Sequence, residues 1–404
     1  MDNTPEVIYE EARVPAYTLP DPLVTSNGEK VTRAEQWPAR RAQILALFEE
    51  QMYGKTPAAA AKVSVEWEEK GAEVFGGRGM RKQARLWFEH NERRLSLDVL
   101  IYLPADQSGP IPVFVGLNFC GNHAIQEDPH IRLSQAWMSK NGGGGEDFRA
   151  TDASRGIESS RWPVERILGR GYGVVTAYYG DLDPDFDDGF QNGVHPLFYQ
   201  PGQSVPGPAE WGAIGAWAWG LSRVMDFLEE DTDIDSTRVA VLGHSRLGKT
   251  ALWAGAQDTR FRLVISNDSG CGGAALSRRC FGETVELINR NFPHWFCKNF
   301  HQYDRSENSL PVDQHMLVAL MAPRPVYIAS AAEDLWADPK GEFLSAYHAA
   351  PVYRLLGTDG LAADELPPLE EQILSQIGYH IRPGKHDVTQ FDWDCFMDFA
   401  DLHL

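Results

Sequence analysis

Apolar and polar residues alternate in three early stretches: V-S-V-E-W at 63–67, A-R-L-W-F at 84–88 and L-S-L-D-V-L-I-Y at 95–102. A period of two sends alternate side chains to opposite faces, so these stretches predict half-buried antiparallel strands. Ahead of them lies a Pro-rich, extended lead through 14–23, then a predicted helix over 34–53 with Ile44, Leu47 and Phe48 near helical spacing. Beyond residue 110 the pattern changes. Short continuous apolar runs at 113–117, 173–177, 239–242 and 326–329 fit strands covered on both faces. Helical segments at 211–230 and 247–257 lie between them. Strand–helix alternation after an antiparallel start predicts an α/β fold: a three-layer sandwich with a mostly parallel central sheet and an antiparallel N-terminal edge. One catalytic domain over 1–404 is expected, with an N-terminal extension over about residues 1–60.

Composition narrows the function. The chain has 404 residues, of which 43% are hydrophobic, enough for a substantial core. No run of about 18 apolar residues occurs, so no membrane span is expected. A net charge of −20 argues against a nucleic-acid partner, which needs a basic surface. Met1-Asp2-Asn3-Thr4-Pro5 lacks the basic and apolar regions of a signal peptide, so the chain is cytoplasmic or has lost a leader. The five cysteines, Cys120, Cys271, Cys280, Cys297 and Cys395, show no C-x-x-C spacing; a Cys271–Cys280 bridge and buried free thiols are both open. The glycine run at 141–145 reads as a flexible surface loop. The acidic run at 181–189 lacks the glycine and closing glutamate of a calcium loop and reads as solvated.

The chemistry centres on V-A-V-L-G-H-S-R-L-G-K at 239–249. A buried strand runs into Gly243-His244-Ser245 and then a helix, the layout of a nucleophile elbow. With the strand pattern, this is the α/β-hydrolase plan. The second glycine of G-x-S-x-G is absent: Leu247 stands there and Gly248 follows. A serine needs a base, and the base an orienting carboxylate, in the chain order Ser, acid, His. His386 follows a strand-like run and a Pro-Gly turn near the C-terminus, where the base belongs; His380, inside the run, is the weaker candidate. Asp334, after the strand at 326–330, is the favoured acid, with Asp268 as alternative or auxiliary acid and Asp338 a turn former before Pro339. Residues 118–123 lie where the second oxyanion loop is placed.

Gly243-His244-Ser245-Arg246-Leu247-Gly248-Lys249 resembles the G-[CH]-S-R-x-G-K motif of the glucuronoyl esterases, carbohydrate esterase family 15. The segments N-D-S-G-C-G-G at 267–273, H-W-F at 294–296, A-P-R-P at 322–325, E-D-L-W-A-D-P at 333–339 with G-E-F at 341–343, and G-K-H at 384–386 are similar to that family's pattern too, nearer its bacterial branch. The resemblance implies cleavage of the ester between (4-O-methyl-)glucuronic acid of glucuronoxylan and lignin alcohols, through a glucuronoyl-enzyme and with no cofactor. It implies Arg246 at the oxyanion, Lys249 and Glu283 on sugar hydroxyls, and Trp336 or Trp295 against the uronate. It also implies action outside the cytoplasm; a monomer is the working expectation. The competing readings are an acetyl xylan esterase or general carboxylesterase on the same fold, and a catalytically silent carbohydrate-binding protein. No H-E-x-x-H or comparable metal spacing is present.

Overall fold

The three alternating stretches are strands β1 (Lys62–Val74), β2 (Gly79–His90) and β3 (Arg93–Pro104), each longer than its strictly alternating part. The apolar runs give β4 (Ile111–Asn118), β5 (Gly173–Tyr178), β6 (Ile234–His244), β7 (Leu263–Asn267) and β8 (Val326–Ala331). The pair β9 (Ile373–Leu374) and β10 (Ile377–Arg382) completes the set. The computed structural model describes residues 6–404 except Gln107 and Glu146, so Met1–Pro5 lies outside it. All ten strands join one sheet in the order β1-β2-β3-β5-β4-β6-β7-β8-β10-β9. β5, β4, β6, β7, β8 and β10 pair in parallel, while β1–β3 form the antiparallel edge and β9 turns back on β10.

The continuous apolar runs make sense on this sheet. Val113, Val115, Val239 and Val241 enter one hydrophobic core, while Phe114, Ala240 and Leu242 enter a second on the opposite face. Each face therefore needs its own helical layer, which is the three-layer architecture expected of an α/β-hydrolase. The helices Trp37–Phe48, Ala213–Leu228, Arg246–Gln257 and Pro339–Leu355 contribute to the first core. Val164–Gly169 and Gln390–His403 contribute to the second. The helix expected over 34–53 is a 3-10 turn, an α-helix and a closing π turn in succession. Among the described residues no helix is long and apolar enough to cross a membrane.

The N-terminal lead runs extended across the body, held by Arg278 donating to the Thr18 carbonyl (3.1 Å), His315 bonding that of Pro20 (2.8 Å) and Arg40 donating to that of Pro22 (3.1 Å). All five cysteines are free thiols. The glycine run at 141–145 packs rather than projects. Gly142 is buried, and a Cβ at Gly144 would sit 2.3 Å from the Met138 carbonyl oxygen, so the expectation of a loose surface loop is corrected.

Candidate active site

The parallel strands deliver their carboxyl ends to one edge of the sheet, where open α/β sheets place their ligands. β6 ends at His244, and Ser245 turns the chain into the helix Arg246–Gln257 with φ 58° and ψ −128°. That is a strained conformation for a residue with a side chain, costing about 1–3 kcal/mol. The Ser245 N–H donates to the Asn267 carbonyl (2.9 Å), and the Ser245 carbonyl accepts from Gly248 (2.9 Å). The glycines are explained by close approach. A Cβ at Gly243 would lie 1.9 Å from the Leu247 oxygen, and one at Gly248 3.0 Å from the Gly243 oxygen. The tight spot after the serine thus falls on Gly248, which is why Leu247 is tolerated.

His386 stands on the loop after β10 with its ring centroid 4.4 Å from that of His244, the neighbour of Ser245. Its Nδ1–H donates to Asp334 Oδ2 at 2.5 Å, which leaves Nε2 as the nitrogen able to take a proton. Burial, then the adjacent His386, push His244 far below the ordinary histidine range. It therefore stays neutral, and its Nδ1 accepts from Asn267 Nδ2 (2.9 Å). Asp268 is close as well: one oxygen each of Asp268 and Asp334 and a His386 nitrogen lie within 4.8 Å of one another. Burial and then the neighbouring Glu342 push the Asp268 carboxyl well above its ordinary range, and it is Asp334 that accepts from the imidazole. Arg382 fixes the base loop by donating to the Lys385 (3.1 Å) and Asp387 (2.6 Å) carbonyls on either side of His386. His380 is fully buried in β10 between Asp392 (2.8 Å) and the Tyr327 hydroxyl (2.8 Å), so it serves the core. Asp338 caps the helix Pro339–Leu355 and pairs with Arg279 at 2.8 Å, a turn former as expected.

Arg246, next to the serine, ion-pairs with Asp185. This corrects the reading of the acidic run as solvated. Asp183 is fully buried, and the Asp185 side chain is only 6% exposed. Asp185 Oδ2 accepts from Arg246 and the Tyr179 hydroxyl (3.0 Å); Oδ1 accepts from His294 Nε2–H (2.9 Å) and the Trp295 indole N–H (2.7 Å). Burial alone would raise this carboxyl, but the His294 hydrogen bond, the Arg246 charge and the Trp295 hydrogen bond outweigh it, and it stays far below the usual carboxylate range. The guanidinium also lies 4.9 Å from the Trp295 ring centroid. Trp295 is 3% exposed and stacks on Phe292 at 3.8 Å. One ring face and its N–H are thus committed, so the expectation that it packs on the uronate is corrected: it supports Arg246. Trp336, 38% exposed on the 3-10 turn Leu335–Ala337, remains the available aromatic face.

Lys249, one turn beyond the serine, is buried and donates to the Ser269 carbonyl (2.6 Å). Glu283 is buried, and its N–H donates to the Trp336 carbonyl (3.0 Å). Burial pushes Lys249 down and Glu283 up, each shift opposed by the charge of the other. In the loop at 118–123, Asn118 donates to Asn122 (2.8 Å) and Thr176 (3.0 Å), and Phe119 lies 5.6 Å from the Arg246 guanidinium.

A family model described as glucuronyl esterase, fungi, matches residues 199–357. The chain is 55% identical to a carbohydrate esterase, MZ0003, of unknown prokaryotic source, over 98% of this chain and 92% of that one. Among solved structures it is similar to the glucuronoyl esterase from Solibacter usitatus, with 48% identity, a TM-score of 0.92, and 97% and 99% of the two chains covered. It is also similar to a promiscuous esterase of the same family from the marine bacterial metagenome, with 54% identity, a TM-score of 0.93, and 99% and 100% covered. The chain belongs to the glucuronoyl esterases of carbohydrate esterase family 15. It is a carboxylic ester hydrolase on the α/β-hydrolase fold.

Two side chains at this glucuronoyl esterase site were given no role by the sequence reading, although Glu342 lies in a segment similar to the family's pattern. Asp185 lies 61 positions from Arg246, inside a run whose charge suggested solvent. Glu342 is fully buried, accepting from Gly270 N–H (2.9 Å) and the Ser330 hydroxyl (2.6 Å). The glutamate sits within G-E-F after Pro339-Lys340, and nothing in that spacing signals a buried carboxyl.

Proposed function

We propose that this protein hydrolyses the ester linking (4-O-methyl-)glucuronic acid of glucuronoxylan to lignin alcohols, with Ser245, His386 and Asp334 as its triad. Ser245 Oγ attacks the C6 carbonyl while its proton passes to His386 Nε2, and Asp334 stabilises the imidazolium through Nδ1–H. The tetrahedral oxyanion is met by Arg246 and by the first turn of the helix it opens, a contribution of about 3 kcal/mol per donor. The alcohol leaves with the proton from His386. Water then attacks the glucuronoyl-enzyme with the same base, releasing the uronate. Lys249, Glu283 and Trp336 hold the sugar.

The observation that carries this reading is the pair of cations within one turn of the serine, Arg246 anchored by buried Asp185 and Lys249 beside Glu283. An acetyl ester forms the same oxyanion for Arg246 but offers Lys249 and Glu283 no sugar hydroxyl to hold. The test is hydrolysis of benzyl glucuronate beside p-nitrophenyl acetate by wild type and Ser245→Ala. Uronate-ester cleavage that disappears in the variant is expected. Acetate cleavage without uronate cleavage overturns the specificity; equal rates in the variant overturn the nucleophile.

A further inference from the structure

The same sheet edge carries a second concavity that the reaction above does not use. It is a cavity of about 480 Å³ walled by Asp98 of β3, Arg85 of β2, Trp137, Gln135, and the Pro184 and Phe186 that flank Asp185. Its size is that of a small-molecule site. β3 is three strand steps from β6 in the sheet, about 14 Å at the usual strand spacing. The cavity and the elbow are therefore separate, yet joined by the Pro184–Asp185–Phe186 segment whose central residue grips Arg246.

The lining selects among ligands. Its charged side chains are of both signs, Arg85 paired with Asp98 and Arg149 beside a partly ionised Asp181, so the lining carries no concentrated charge for an anion or a cation. Arg85 and Asp98 hold each other through two bonds of 2.7 Å, which fixes a planar polar surface. Asp181 accepts from the Ser134 hydroxyl (3.1 Å). Burial, then the adjacent Asp98, push its carboxyl up to about 7, so near neutrality it can donate as well as accept. Half-buried Trp137, stacked on Phe148 at 5.9 Å and braced by Phe186 at 4.6 Å, lines the wall with Phe186 as a fixed apolar surface. Fixed planar polar groups beside this apolar surface suit a ring with hydroxyls at its rim and C–H bonds on its face. An aromatic alcohol would desolvate the polar groups without giving them partners.

We propose that this cavity is a subsite for a neutral sugar unit of the polysaccharide chain that bears the uronate. The proposal rests on the glucuronate-ester reading. A substrate reaching both places must be an oligosaccharide, so the subsite acts on polymer affinity and leaves the bond-breaking step alone.

The test compares two methyl esters, that of glucuronic acid itself and that of a glucuronoyl-substituted xylotetraose, on wild type, Trp137→Ala and Gln135→Ala. Wild type is expected to show the lower KM on the oligosaccharide ester. Trp137→Ala should raise that KM about tenfold, the equivalent of one good contact, with the monosaccharide ester unchanged. Gln135→Ala, at an exposed position, should move it in the same direction without risk to the fold. Equal KM values for the two esters in wild type overturn the subsite alone. So does a variant loss equal on both esters, or one that follows an exchange of methyl for benzyl alcohol. Cleavage of neither ester overturns the subsite and the glucuronate-ester reading together.

Discussion

Replacing Asp185 by Asn tests how the oxyanion cation is held. The carboxylate accepts from four donors, two per oxygen: Arg246 and Tyr179 on one, His294 and Trp295 on the other. An amide of the same shape has one oxygen, so its NH₂ must confront one pair of donors. At least one hydrogen bond is lost, to Arg246 or to the Trp295 N–H, because the Tyr179 hydroxyl and the His294 ring can turn to accept but these two groups only donate. A hydrogen bond involving a charged group is worth about 1.5–3 kcal/mol. If that loss falls on the orientation of Arg246, it appears in the transition state, and kcat should fall about 10- to 100-fold. KM should stay within about twofold, because the guanidinium grips an oxyanion absent from the ground state. The assay is steady-state hydrolysis of benzyl glucuronate by wild type, Asp185→Asn, Arg246→Ala and the double variant, with melting temperatures as a control for folding. In the Arg246→Ala background, Asp185→Asn should cost less than about twofold more. Additive losses, or an Arg246→Ala variant changed only in KM, would refute the reasoning.

Three further outcomes are expected. Asp334→Ala should lower kcat by about 10³ or more, while Asp268→Asn, at a carboxyl that faces Arg382 and the Asp387 N–H instead of the imidazole, should cost less than about tenfold; the reverse order in the same assay would move the triad acid to Asp268. Burial lifts Glu342 from 4.5 to about 8, so its protonated form is favoured by folding. Its contribution is complete below the unfolded value and declines as pH rises, by about 1.4 kcal/mol per unit until the folded value is passed. Glu342→Gln keeps an acceptor oxygen for Gly270 N–H, and its NH₂ replaces the oxygen facing Ser330, whose hydroxyl turns to accept instead of donate. Its melting temperature should therefore gain on wild type between about pH 5 and 8, and a constant difference across that range would contradict the account. His380→Gln should lower the melting temperature through its two buried hydrogen bonds, each costing about 1–3 kcal/mol to leave unmade. Its kcat should stay within about threefold of wild type; a collapse of kcat in a folded protein would return His380 to the catalytic candidates.

The candidate triad was legible because each of its members sits next to a local pattern: Ser245 between a buried strand and a helix, Asp334 past the end of β8, His386 past the end of β10. Two acids nonetheless stayed open. Both follow strand ends, and only the 2.5 Å approach of Asp334 to His386 separates it from Asp268, which faces Arg382 (3.5 Å) and the Asp387 N–H (3.3 Å) instead. The acidic run misled because charge in a sequence reads as hydration. Its inward turn depends on donors from other elements, Arg246 after β6 and His294 and Trp295 after the helix Val285–Asn291.

By itself, then, the sequence determined the period-two edge, the doubly covered parallel strands, the elbow and the order of its partners. These follow from spacing along the chain, since alternation and apolar runs set which faces must be buried. Tertiary structure alone decided the strand order, which acid meets the imidazole, that Trp295 supports Arg246, and that Asp185 and Glu342 lie buried at the site. Those depend on side chains from distant segments converging within hydrogen-bond distance, and a hydrogen bond's partner is set by position in space, which residue spacing does not encode.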